Sequence, residues 1–180
     1  MARHFVLLDR DGTVVAHKPY LAKPADVELI AGVADGMRRL LSLGFGLVVV
    51  TNQSGIGRGY FSLEQMQQTN QRMVELLEEN HVRLDGIYWC PHRPDEGCNC
   101  RKPRPGMLRD AARELDFELS ECHVIGNAAC DIGAGQAVGG ATYLVSGPDG
   151  HEADAIKLGP DHVVANVDQA AHVIKRLAQS

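Results

Sequence analysis

The chain of 180 residues has no run of about 18 apolar residues, so it offers no membrane-spanning helix. Its N-terminus, Met1-Ala2-Arg3-His4, leads straight into a short apolar run that ends on Asp9. A secretory signal would need a longer apolar stretch and a small-residue cleavage site. A cytoplasmic protein is therefore the expectation. Basic charge is not in excess either: 18 Lys and Arg stand against 23 Asp and Glu, for a formal charge of -5. Nucleic-acid binders carry the opposite balance on a clustered face, so neither nucleic acid nor membrane is expected as a partner. Internal repeats and low-complexity tracts are absent. The five cysteines are an odd count, and in a cytosolic chain a tight Cys/His group reads as a metal site before a disulfide framework.

What is present is an ordinary globular composition, 44% apolar and 23% charged. A chain of this length buries roughly 70% of the surface that it exposes when unfolded, enough for one self-sufficient core. Short apolar runs alternate with helical periodicity. Phe5-Val6-Leu7-Leu8, Leu47-Val48-Val49-Val50, Ile87-Tyr88-Trp89, Cys122-His123-Val124-Ile125 and Ala141 to Val145 read as strands. Between them, Val33, Ala34, Met37, Leu40 and Leu41 recur at helical spacing, with Gly44 as the stop. Ser62 and Gln65 make a capping box before a helix striped by Met66, Met73, Val74 and Leu77. Pro105 opens a further helix through Leu108, Ala111, Ala112 and Leu115, and Val167 to Leu177 forms the last. The alternation predicts an α/β fold over residues 1–180: a Rossmann-like parallel sheet with helices on both faces.

Polar residues follow these strands. Asp9 and Asp11 follow the first, Thr51-Asn52 the second, and Gly126-Asn127 with Asp131 the fourth. Ligands bind outside the carboxyl ends of the strands in open parallel sheets, so this convergence marks a candidate active site. Two carboxylates at i and i+2, just beyond a strand, can divide the work of nucleophile and general acid/base at one centre. Cys90-x-His92-x5-Cys98-x-Cys100 supplies three thiolates and an imidazole, a set that suits tetrahedral zinc, although its pairs are closer than in zinc fingers. Cys122, Cys130 and Trp89 read as packing residues.

Asp9-Arg10-Asp11-Gly12-Thr13, Thr51-Asn52-Gln53-Ser54-Gly55, Lys102 and Gly126-x4-Asp131 together resemble the motifs of the haloacid dehalogenase-like phosphatases. The Cys-Pro-His and Cys-Asn-Cys-Arg-Lys-Pro stretches are similar to the branch that holds the heptose-bisphosphate and histidinol-phosphate phosphatases. The resemblance spans roughly residues 5 to 146. It implies a magnesium-dependent phosphatase without a large cap domain that removes the C7 phosphate of D-glycero-D-manno-heptose 1,7-bisphosphate, in the making of nucleotide-activated heptose. Histidinol phosphate is the alternative substrate. Asp9 would be the nucleophile and a magnesium ligand, and Asp11 the general acid/base, its backbone carbonyl also on magnesium. Thr51, Asn52 and Lys102 would hold the transferring phosphoryl group.

The same resemblance assigns a structural zinc to Cys90, His92, Cys98 and Cys100, on a loop that shapes the substrate pocket. Arg58 and Arg101 are the candidates for a distal phosphate, with His17 and Lys18 weaker ones. The family pattern has Gly-Asp where this chain reads Gly126-Asn127, and the aspartate there is a magnesium ligand. An Asn oxygen still coordinates a hard cation but brings no charge, so weaker magnesium binding is expected unless Asp131 helps, directly or through a water. Asn127 also leaves open a catalytically silent binding module. A receiver-like phosphoacceptor would share the acids but not explain the Cys/His group. A monomer acting on a small sugar phosphate is the expectation.

Overall fold

The structure is a computed structural model that describes residues 3–147 and 152–178. Residues 1, 2, 148–151, 179 and 180 of the expected 1–180 domain lie outside the described residues. In chain order the elements are β1 (Phe5–Leu8), α1 (Val33–Ser42), β2 (Gly46–Asn52), α2 (Ser54–Gly57), α3 (Leu63–Glu79), β3 (Gly86–Cys90), α4 (Gly106–Leu115), β4 (His123–Gly126), α5 (Ala129–Gln136), β5 (Ala141–Val145), α6 (Glu152–Lys157), β6 (His162–Val164) and α7 (Val167–Leu177). The strands form one parallel sheet in the order β3-β2-β1-β4-β5-β6. The chain winds outward from β1 to β3 and then crosses back to place β4 on the other side of β1. The gap between the carboxyl ends of β1 and β4 is therefore the topological switch point.

The inner strands β1, β2, β4 and β5 are largely buried on both faces, and successive side chains serve different cores. Val6 and Leu8 of β1, Leu47 and Val49 of β2, and Tyr143 of β5 pack with Met37 and Leu40 of α1, Met73 and Leu77 of α3, and Ile174 of α7. Phe5, Leu7, Val48, Val50 and Val124 point the other way, onto Met107, Leu108 and Ala111 of α4 and Ala134 of α5. Ile132, Leu144 and Ala155 form a smaller group between α5, β5 and α6. The expected helices on both faces are there, and among the described residues no separate cap domain stands over the sheet.

Local signals place the helix ends. Ser62 Oγ accepts from Gln65 N at 3.1 Å while Gln65 Oε1 accepts from Ser62 N at 2.8 Å, closing the first turn of α3 reciprocally. Gly44, at φ +91°, lets Phe45 N–H turn back to Leu40 O and end α1. The stripe of α3 differs from expectation: Val74 is half-buried, and the buried residues are Met66, Thr69, Asn70, Met73 and Leu77. Two polar side chains stand in an apolar seam because they meet the buried guanidinium of Arg10. β6 has no counterpart among the strands expected from the sequence. Its three residues, with Val163 exposed and Val164 buried, are too few to show a period.

At the amino end of the sheet, rings meet in a row from His4 through Phe45, His123 and Tyr143 to His162. His123 Nδ1 and the Tyr143 hydroxyl share a hydrogen bond of 3.1 Å. Burial, aided by the neighbouring His4 and His162, pushes His123 down to about 4 from its ordinary 6.5. A histidine held neutral in the fold binds its proton more readily when unfolded, so stability is lost as pH falls from about 6.5 toward 4. His123→Phe is expected to flatten this acid limb: melting temperatures measured at pH 7 and pH 4.5 should differ by less than in the unmodified protein.

Candidate active site

The β1 strand delivers Asp9 to the switch point, where its N–H donates to Ile125 O of β4 at 2.9 Å. The chain then turns tightly, with the N–H groups of Val14 and Val15 both returning to Arg10 O. Gly12 sits in this turn at φ +87°, and a Cβ there would lie 2.2 Å from Asn127 Nδ2. Only glycine meets both conditions, and its bare backbone lets the Asn127 amide lie against the turn that carries Asp9 and Asp11.

Lys102 reaches the centre from the loop between β3 and α4 and is 4% exposed. Its Nζ donates to Asp9 Oδ1 at 2.7 Å and Val50 O at 2.5 Å, and lies 2.6 Å from Asp131 Oδ1. All three ammonium donors are thereby engaged. Asp131 is fully committed as well, because its Oδ2 accepts from Ala128 N at 3.0 Å and caps α5. Gly126 makes room for this: a Cβ on it would lie 2.4 Å from the Asp131 carboxyl carbon.

These contacts set the charge state of the centre. Burial raises the Asp9 carboxyl to about 7; Lys102 pulls it down while Asp131 and Asp11 push it up. Burial alone would lower Lys102, but Asp131 and then Asp9 outweigh it and hold the ammonium above its ordinary value.

Thr51 and Asn52 end β2 beside this group. Asn52 lines a cavity beside Asp11 and also grips the lysine. Its Oδ1 accepts from Lys102 N at 3.0 Å and its Nδ2 donates to Lys102 O at 3.1 Å, a reciprocal clasp on the backbone of the lysine. Gln53, which sequence reasoning missed, donates from Nε2 to Asp11 Oδ2 and to Thr51 Oγ1, both at 2.8 Å. Arg10 was missed too: it is 1% exposed and forks onto Asp11. Its anchors on α3 carried a signal, since 66, 69, 70 and 73 share one helical face and two of them are polar.

One cavity opens beside Asp11, and another lies along the loop that carries Lys102. The first, of about 170 Å³, is lined by Arg10, Asp11, His17, Lys18, Tyr20 and Ser54, among others. The second, of about 290 Å³, is lined by Arg93, Cys98, Arg101, Lys102 and Arg104, among others. Arg101 lines the second cavity next to Lys102, one terminal nitrogen 3.4 Å from His92 O, whereas Arg58 is exposed beyond α2 and lines neither cavity. Cys122 is buried as expected. Trp89 is only half-buried, on the edge strand β3, and Cys130, expected as a packing residue, is half-buried at the site, 3.9 Å from Asn52 Nδ2.

Cys90, His92, Cys98 and Cys100 converge at the end of β3, their ligand atoms all within 4.8 Å of one another. The Cys90 sulfur lies 3.5 Å from that of Cys98 and 3.0 Å from that of Cys100, and His92 Nδ1 lies 3.3 Å from the Cys100 sulfur. The group could hold a metal ion.

Comparison with known proteins gives one direction. The family model described as HAD-hydrolase-like matches residues 99–170. The chain is 45% identical over 136 residues to the D-glycero-beta-D-manno-heptose-1,7-bisphosphate 7-phosphatase of Photorhabdus laumondii, covering 72% of each chain. It is 41% identical over 147 residues to that of Escherichia coli K12, covering 78% of this chain and 77% of the other. Among solved structures, the D,D-heptose 1,7-bisphosphate phosphatase from B. bronchiseptica, complexed with magnesium and phosphate, superposes with a TM-score of 0.86 at 31% identity. That match covers 98% of this chain and 99% of the other.

The buried cation yields a stability test. Lys102→Met leaves Asp9 and Asp131 without a counter-charge and is expected to cost about 3–5 kcal/mol at pH 7. Asp9, already above its ordinary 3.8, would rise further, so the folded variant would bind a proton more tightly than the unfolded chain. The deficit is fully present above that raised value and shrinks as pH falls toward about 4. Denaturant titrations at pH 7.5 and pH 5 check it.

Proposed function

Because the chain belongs to the haloacid dehalogenase-like hydrolases, in the branch of the heptose-1,7-bisphosphate 7-phosphatases, we propose that it removes the C7 phosphate of D-glycero-β-D-manno-heptose 1,7-bisphosphate through an aspartyl-phosphate intermediate. The observation that carries this reading is the Asp9 carboxylate, held by a buried ammonium and next but one to Asp11, at the switch point of the sheet. Asp9 attacks phosphorus, and the departing C7 oxygen takes a proton from Asp11. Asp11 then takes a proton from the water that cleaves the aspartyl phosphate, releasing inorganic phosphate. Splitting the displacement in two allows a weak nucleophile to act, provided that positive charge meets the phosphoryl oxygens. Lys102 supplies one such charge and Thr51 a hydroxyl donor. The clasp on Lys102 lets Asn52 also fix the lysine. Arg101, on the wall of the larger cavity, takes the C1 phosphate in preference to Arg58.

The donors around Asn127 fit magnesium: the Asp9 carboxylate, the Asp11 backbone carbonyl and the Asn127 amide oxygen are all hard oxygens. When bound, the ion supplies charge that neutralises the phosphoryl oxygens. Asp131, with both oxygens held by Lys102 and Ala128, supports this shell by orienting Lys102. The Cys/His cluster fits zinc by its donor set, three thiolates and one imidazole whose ligand atoms lie within 4.8 Å of one another. Its four protein ligands make it a structural site that holds the loop ahead of Arg101 and Lys102. The enzyme serves nucleotide-activated heptose synthesis as a cytoplasmic monomer.

Asn127 favours a second reading, a relative weakened by the loss of one ligand charge. Phosphate release from both anomers of the bisphosphate and from histidinol phosphate, with and without magnesium, tests the first. Fast magnesium-dependent release from the β-anomer is expected, abolished in Asp9→Asn. Asn127→Asp is expected to lower the half-saturating magnesium concentration about tenfold, through the added ligand charge. Activity seen only in Asn127→Asp would establish the second reading instead. Elemental analysis is expected to find one zinc per chain, lost in Cys100→Ser together with a lower melting temperature.

A further inference from the structure

Phosphoryl transfer between Asp9, Asp11 and Lys102 leaves Arg10 without a part, yet it heads the largest side chains buried to less than 2% exposure. A guanidinium withdrawn from water is costly unless its donors are matched. Here Nε donates to Asp11 Oδ2 and one terminal nitrogen to Asp11 Oδ1, each at 3.1 Å, in a fork that sets the plane of the carboxylate. The other terminal nitrogen donates to Asn70 Oδ1 at 2.7 Å and, more weakly, to Thr69 Oγ1 at 3.4 Å. Both partners belong to α3, where the Thr69 hydroxyl donates in turn to Met66 O at 2.8 Å and Asn70 Nδ2 lies 2.9 Å from the Met66 sulfur. Gln53 adds a third donor to Asp11 from the end of β2.

Two polar residues in the apolar seam of a long helix are thus committed to one arginine, and that arginine to one carboxylate. We infer that Arg10, anchored on α3 by Asn70, is a positioning residue that orients the Asp11 carboxylate for proton transfer to the leaving sugar oxygen. The inference rests on the phosphatase reading of the site. A fork in a fixed plane leaves the carboxylate one way to face the cavity that Asp11 lines. A lysine in place of Arg10 keeps the charge and loses the fork.

The test compares kcat/KM for two substrates in the full-length protein: the heptose bisphosphate, whose sugar alkoxide must be protonated as it leaves, and 4-nitrophenyl phosphate, whose phenolate leaves unaided. This parameter covers steps up to the cleavage of the ester bond, so the later activation of water does not enter. In Arg10→Lys and in Asn70→Leu, kcat/KM for the sugar phosphate is expected to fall about tenfold to a hundredfold, the scale of a misplaced general acid. That for 4-nitrophenyl phosphate is expected to stay within about threefold, and Asp11→Asn should show the same selectivity more strongly. Equal losses on both substrates would make Arg10 a structural or phosphate-holding residue, and no loss would make it inert; either overturns the inference. Circular dichroism verifies folding, and if one variant fails to fold the other decides. An unmodified protein that cleaves neither ester would sink the phosphatase reading itself, a result distinct from either.

Discussion

A single ammonium group, that of Lys102, holds this structure to its chemistry. Buried among apolar strands, it is stable only because Asp9, Asp131 and Val50 O each accept one of its N–H groups. Those three partners come from the ends of β1, α5 and β2. The loop that carries Lys102 is clasped by Asn52 and begins with the Cys/His cluster. At such low local dielectric an ammonium missing one partner would cost more than the fold could readily bear, so each element's position is constrained by the same charge.

A second pair complements the first. Arg10 neutralises Asp11 as Lys102 neutralises Asp9 and Asp131, so the two acids of the Asp9-Arg10-Asp11 turn pair with different cations. α3 stands behind Arg10, and α5 is capped by Asp131. This separation lets two acids stand next but one along the chain with unlike surroundings, the condition under which they can do unlike work. Asn127, facing the Gly12 turn with an amide in place of a fourth carboxylate, keeps the negative charge of the group down.

Much of this arrangement is legible in the amino-acid sequence. Strands that end on Asp9, Thr51 and Gly126 point to one sheet edge, and the tight Cys/His spacing points to the cluster. The residues that sequence reasoning missed share a reason. Arg10 and Gln53 look like loop residues, and only tertiary packing brings α3 under the first and Asp11 beside the second. Asn52 holds a contact that its position does not announce: its amide also clasps the backbone of Lys102, fifty positions away. Thr69 and Asn70 are readable in principle, as polar residues at core positions of a helix whose seam Met66 and Met73 already mark. β6 is not, for three residues hold no period.

The parallel pairing of Leu8 with both Val49 and Ile125 has a consequence for folding. Side chains alternate along a strand, so a slip of β1 by one position would swing Asp9 to the opposite face of the sheet. The aliphatic residues of β1, which pack well on either side, would scarcely oppose it. The lysine would: stranded without its nearest acid inside a hydrocarbon environment, it would raise the energy of the misaligned sheet by several kcal/mol. The charges at the strand ends therefore act as a proofreading device on strand alignment, rejecting compact arrangements that an interior of valine and leucine would tolerate.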